Sequence, residues 1–136
     1  MAVVMTKDES EKLFRLIDAN LNRLKEGIRV VEDCQRYIFD NPILTKKLKS
    51  IRHKARVDNF HELLKYRDIV GDIAKSSTKS EKNRANIDSI MIANIKRAEE
   101  SARVLEESFK LIDSSKAEDF KLIRYELYDI EKSIYG

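Results

Sequence analysis

Two stretches of the chain are copies of one another. Residues 19–33 match residues 93–107 without a gap, 74 positions later, and seven of the fifteen positions are identical, where unrelated sequence would give about one. Each copy carries apolar residues every third or fourth position, the period of one buried face of a helix. A duplicated amphipathic helix cannot bury its stripe alone, so the repeat predicts two helical hairpins packed on each other with pseudo-two-fold symmetry.

The surrounding signals extend this into a fold. Thr6 and Glu9 have the spacing of a capping box. After them Leu13, Leu16, Ile17, Leu21, Leu24, Ile28, Val31 and Ile38 continue the period. Asn41 and Pro42 read as the cap and first residue of a second helix, carried by Leu44, Leu48, Ile51, Ala55, Leu63 and Leu64 to about Tyr66. Residues 67–86 lose the period and read as a long central loop of the kind that carries function. A third helix is expected over about 87–112, and a fourth opens at a second capping box, Ser115 to Glu118. Ile51-Arg52 and Ile123-Arg124 align after a two-residue gap. The expected fold is all-α: one domain, residues 1–136, a four-helix bundle with repeat halves at about 7–66 and 87–135.

Composition removes whole classes of function. Three glycines in 136 residues leave no glycine-rich phosphate loop, so Walker-type and dinucleotide sites are ruled out. The 27 basic and 24 acidic residues nearly cancel, which argues against a nucleic-acid partner. No apolar run reaches the roughly 20 residues needed to cross a bilayer, and Met1 to Met5 is too short for a secretory core. No membrane partner and a cytoplasmic location are expected. Cys34 is the single cysteine and reads as packing. His53 and His61 have no third metal ligand nearby, and Tyr125 and Tyr128 read as structural, with one able to stack on a ring.

The identities between the copies are mainly polar: Asn20 and Asn94, Arg23 and Arg97, Glu26 and Glu100, Arg29 and Arg103, Glu32 and Glu106. Asn20 falls inside the apolar stripe and must be buried with a hydrogen-bond partner. Arg23 and Glu26 lie on one flank of it and Glu32 on the other. Gly27 and Ser101, small at matching places, would let a helix or a ligand approach closely. Arg and Glu around a buried amide can bind a polar anion between helices; the same residues can equally form surface pairs worth about 0.3–0.5 kcal/mol each. In the loop, Asp68 and Asp72 flank Gly71 and are candidate Mg²⁺ ligands, or a helix stop with two solvated acids. Arg84 at its far end can meet a phosphate or decorate the next helix.

Taken together, residues 15–23, 26–33, Arg67, Asp68, Asp72, 94–107 and 124–129 resemble, in order over almost the whole chain, the small helical domain often fused ahead of bacterial thiamine phosphate synthase. That family is understood as an all-helical hydroxymethylpyrimidine phosphate kinase. The resemblance implies transfer of the γ-phosphoryl group of ATP, with Mg²⁺, to 4-amino-5-hydroxymethyl-2-methylpyrimidine phosphate. Thiamine phosphate synthase is then the possible partner that uses the diphosphate formed. On this reading Arg23, Arg29, Arg97 and Arg103 meet phosphates, with Arg67 and Arg84 closing from the loop. Glu26, Glu100, Asp68 and Asp72 hold Mg²⁺ or act as base. Asn20 or Asn94 reads the aminopyrimidine edge, and Glu32 and Glu106 complete the substrate set. The 136 residues leave no room for a synthase barrel of about 200 or more residues, so joining pyrimidine to thiazole is not expected of this chain.

Two other readings stand beside it. A non-catalytic helical module would bind a phosphorylated pyrimidine, or dock on the synthase, through the same Arg and Glu residues. Residues 15–21 also resemble the opening helix of all-helical chorismate mutases, a likeness that leaves the repeat unexplained.

Overall fold

A computed structural model describes residues 5–78 and 82–136; Met1 to Val4 of the apolar start, and residues 79–81 of the central loop, lie outside them. The described residues form five helices and no strand: α1 (Lys7–Tyr37), α2 (Pro42–Lys54), α3 (Phe60–Lys65), α4 (Ile87–Phe109) and α5 (Ser114–Tyr135). The all-α bundle expected from the repeat is the fold. None of these helices is long and apolar enough to cross a membrane.

Local chemistry accounts for most helix ends. Thr6 and Glu9 make the reciprocal capping box that starts α1, and Asn41 caps α2 by accepting from the Leu44 N–H at 3.0 Å, with Pro42 in the first turn. Between α1 and α2 the chain reverses through Asp40, whose φ of 48° lies in the left-handed region that a short polar side chain tolerates.

Two expectations need correction. The second helix does not run on to Tyr66: it stops at Lys54 and resumes as α3 at Phe60. The intervening Val57, Asp58 and Asn59 combine a β-branched residue with two side chains that compete for backbone hydrogen bonds, all poor helix formers. The Ser115–Glu118 box is also unused. Asp113 caps α5 two residues earlier by accepting from the Lys116 N–H at 3.1 Å; either residue offers a suitable oxygen, and the earlier one suits the tight turn from α4.

The core is built from the four long helices. Ile17, Leu24, Ile28 and Val31 of α1 meet Met91, Ile95, Ala98, Ala102 and Leu105 of α4. Phe120, Ile123, Leu127 and Ile130 close the α5 side, and Leu44, Leu48 and Ile51 the α2 side. Phe109 and Phe120 stack at 5.4 Å between centroids across the α4–α5 turn. At the crossing of α1 and α4 the backbones nearly touch: a Cβ on Gly27 would lie 2.8 Å from the Asn94 carbonyl oxygen and 3.3 Å from the Ala98 Cβ. Among the described helices α3 packs on α1 alone, through buried Leu63 and a Tyr66–Phe14 stack at 6.0 Å, and delivers the loop that follows onto the first half of α1.

Candidate functional site

Lys12, Arg15, Ala19, Asn22 and Arg23 recur at helical spacing and so share one stripe of α1. The loop after α3 folds over that stripe. Between them lies an open hollow of about 750 Å³, lined by Lys12, Arg15, Leu16, Asp18, Asn20 and Arg23 from the helix and by Arg67, Asp68, Ile69, Asp72 and Lys75 from the loop. That size falls within the range of small-molecule sites.

The loop is pinned to α1 by one strong pair. Asp18 is buried, and Arg67 donates to both of its oxygens, each at 2.7 Å. The hydrogen bonds to Asp18, with the charges of Asp18 and Glu26, raise the pKa of Arg67 above its already high ordinary value. Arg15 reaches the Asp68 carbonyl at 3.4 Å. Asp68 accepts from the Gly71 N–H at 2.7 Å and Asp72 from the Ala74 N–H at 3.0 Å, so each carboxylate closes its own turn. Gly71 leaves room for this turn: a Cβ there would meet the Asp68 carboxylate, which would have to swing aside. Lys75 donates to the Val70 carbonyl at 3.2 Å. Lys12, Arg15, Arg23, Arg67 and Lys75 outnumber Asp18, Asp68 and Asp72 in the lining, so the hollow keeps an excess of positive charge, although Lys12 also pairs with Asp8 at 3.2 Å.

Of the residues singled out in the sequence, the hollow gathers Asn20, Arg23, Arg67, Asp68 and Asp72. Asn20 is buried as expected, and its partner is its own helix: Nδ2 donates to the Leu16 carbonyl at 3.0 Å. Asn94 repeats this with the Ile90 carbonyl at 2.8 Å, but is only half-buried. Glu26 is exposed and near enough to Arg67 to act on its charge.

The remaining residues stand elsewhere. Glu32 and Glu106 are buried in two matching clasps. Arg52 donates to Glu32 at 2.7 and 3.2 Å, and Arg124 to Glu106 at 3.3 and 2.8 Å. Arg124 also donates to the Tyr128 hydroxyl at 3.2 Å, and these bonds raise its pKa. The aligned Arg52 and Arg124 thus explain why both copies keep their acid: each joins the two helices of its hairpin. Arg29 pairs with Asp33 at 3.3 Å and Arg103 with Glu107 at 3.0 Å along their own helices. Arg97 and Glu100 are exposed on α4, and exposed Arg84 donates to the Asn83 carbonyl at 3.0 Å. At the crossing of α1 and α4, Gly27 lies directly on the Asn94 carbonyl and Ala98, so the backbones themselves fill the space between the two copies.

Sequence reasoning missed Lys12, Arg15, Asp18 and Lys75 as site residues. The helical spacing of the first two with Arg23 was a usable signal; nothing local announces that Lys75 folds back onto α1. Cys34 is buried, and burial followed by the Asp33 charge pushes its thiol pKa up, the opposite of an activated nucleophile. Among the described residues no three His, Cys, Asp or Glu side chains converge as a metal cage.

Comparison with known proteins gives the chain a family. Residues 15–133 match the model of the ThiD2 family. The chain is 38% identical over 129 residues to the thiamine-phosphate synthase of Rhodopirellula baltica, covering 91% of this chain and 34% of that protein. It is 37% identical over 125 residues to that of Nostoc punctiforme, covering 91% of this chain and 36% of the other. The chain therefore spans about a third of the length of these curated relatives. No solved structure matches. With these relatives, a family match that runs from the first hollow-lining arginine to Ser133 in the last helix supports a context of thiamine biosynthesis: the chain belongs to the ThiD2 family.

Proposed function

We propose that the chain is a phosphotransferase that moves the γ-phosphoryl group of ATP onto hydroxymethylpyrimidine phosphate, and that the hollow between α1 and the 67–75 loop is where it acts. The observation that carries this reading is the crowding of Lys12, Arg15, Arg23 and Lys75 around one concave site that also holds two loop carboxylates and a buried amide. The acceptor in this reaction is a phosphate oxygen that is already ionised near neutral pH. No general base is needed. The barrier comes from bringing two polyanions together, and cations that surround both are the means of lowering it. On this reading Glu26 and Glu100, expected to hold Mg²⁺ or act as base, have no proton to remove.

The donor set fits Mg²⁺. That ion is commonly held by one or two carboxylates and the substrate's own phosphates, without a protein cage. Asp68 and Asp72 each use one oxygen to close a turn and keep the other for such a role. When bound, Mg²⁺ supplies charge neutralisation on the transferred group. With its Nδ2 held by Leu16, Asn20 keeps its Oδ1 as an acceptor for the pyrimidine amino group. Thiamine phosphate synthase is the enzyme that would consume the product.

The test is incubation with ATP, Mg²⁺ and the pyrimidine monophosphate, with the diphosphate followed by phosphorus NMR. Arg15→Ala and Arg23→Ala are each expected to lower kcat/KM at least tenfold, about 1.4 kcal/mol of lost transition-state stabilisation. Arg97→Ala, at the matching position outside the hollow, is the control expected to stay within about twofold. Binding of the monophosphate with no diphosphate formed would replace the kinase by a sensor.

A further inference from the structure

A second concavity lies between α2 and α5 and shares no residue with the hollow. Its floor is Ile51 and Ile130, both buried. Its lips leave large apolar side chains in water: Ile43 is 67% exposed, Leu122 53% and Tyr125 53%. The flanks differ in sign. Helix α2 contains no acid, and presents Lys46 and Lys47 to the groove; α5 presents Glu126 and Asp129. Lys54 and Glu126, paired at 2.9 Å, tie the two walls together.

We infer that this groove is the interface of a two-fold dimer of the chain. An apolar centre with cations along one edge and acids along the other is self-complementary, the property an isologous interface requires. A second copy turned about an axis running along the groove lays the lysines of one α2 over the acids of the partner's α5, and Leu122 and Tyr125 against apolar surface. An axis across the groove would stack lysines on lysines. A partner of a single charge sign would match only one edge of the groove: a polyanion would meet Asp129 on the α5 side, and a uniformly basic partner the α2 lysines. Two helix faces roughly 20 Å long give an interface at the small end of the standard class. The proposal is of a weak dimer, with a dissociation constant on the order of 1–100 μM.

Sedimentation equilibrium of the chain from about 1 to 500 μM tests this. The expected result is a mass rising from 15.9 kDa toward twice that value. Leu122→Glu and Lys47→Glu, both at exposed positions and checked for helix content by circular dichroism, should each weaken the dimer at least tenfold. Combining Lys47→Glu with Asp129→Lys restores opposite signs across the interface and should recover most of the lost association. A mass that stays at 15.9 kDa throughout, a dimer indifferent to both single variants, or a charge exchange that recovers nothing, overturns the proposal. Since the groove variants leave the hollow untouched, their effect is separable from any failure of the kinase assay.

Discussion

At Gly27 one missing side chain sets the distance between α1 and α4. A residue with better helix propensity would ordinarily gain up to about 1 kcal/mol over glycine. Here the atom met at 2.8 Å is a backbone carbonyl already fixed in α4, so overpacking wins. Gly27→Val should cost about 2–3 kcal/mol, read as a lower Tm. Glu99 shows the opposite problem, a charge placed where the fold does not favour it. It is buried, Lys96 approaches one oxygen at 3.6 Å, and the other oxygen has no hydrogen-bond partner. Burial, followed by the charge of Glu131, pushes its pKa up to about 7 from an ordinary 4.5. The folded protein then holds this proton more tightly than the unfolded chain. Stability should fall as pH rises between about 4.5 and 7 and level off above. Glu99→Gln should flatten that slope and raise stability at pH 8 by an amount on the order of 1 kcal/mol once the partly exposed Lys96 is allowed for, read as a higher Tm, while leaving the Tm near pH 4.5 almost unchanged.

Among the elements, the helices are held by their caps and the loop by its pin. Replacing Asn41 by Ala removes the acceptor for the Leu44 N–H and should cost about 1 kcal/mol in denaturant unfolding. The 67–75 loop, by contrast, has exposed residues and short-range hydrogen bonds, with Arg67 on Asp18 its main tie to the bundle. Arg67→Ala leaves Asp18 buried without its partner. The expected outcome is faster hydrogen exchange over residues 68–75, with α4 and α5 unchanged, and loss of the proposed kinase activity; protection equal to the parent protein would show that something else holds the loop. Helix ends and the long α1 and α4 were legible because caps and apolar periods are local. The stop at Lys54 was not, since the competing Leu63 and Leu64 continue a plausible period and the break depends on where α3 can pack.

For the whole molecule, a duplicated sequence has produced an asymmetric result. The two clasps, Glu32 with Arg52 and Glu106 with Arg124, obey the pseudo-symmetry. The hollow does not. Lys12, Arg15 and Asp18 have Asn86, Ser89 and Ile92 at the matching places, and α4 begins at Ile87 where α1 has already run six residues. The second copy thus lacks the loop and, of the helix cations, keeps only Arg97. Titration calorimetry with ATP and Mg²⁺ should therefore give one site per chain, and two equivalent sites would contradict the assignment. Helical class, duplication, core stripes and the chemical types available for a phosphate site all follow from residue order, because each depends on neighbours within a few positions along the chain. Which of the twin polar residues meet a ligand and which brace the bundle was decided by packing. A side chain's partner there lies across a helix crossing or at the end of a folded-back loop, and identical residues in two copies have different surroundings once the two loops differ in length.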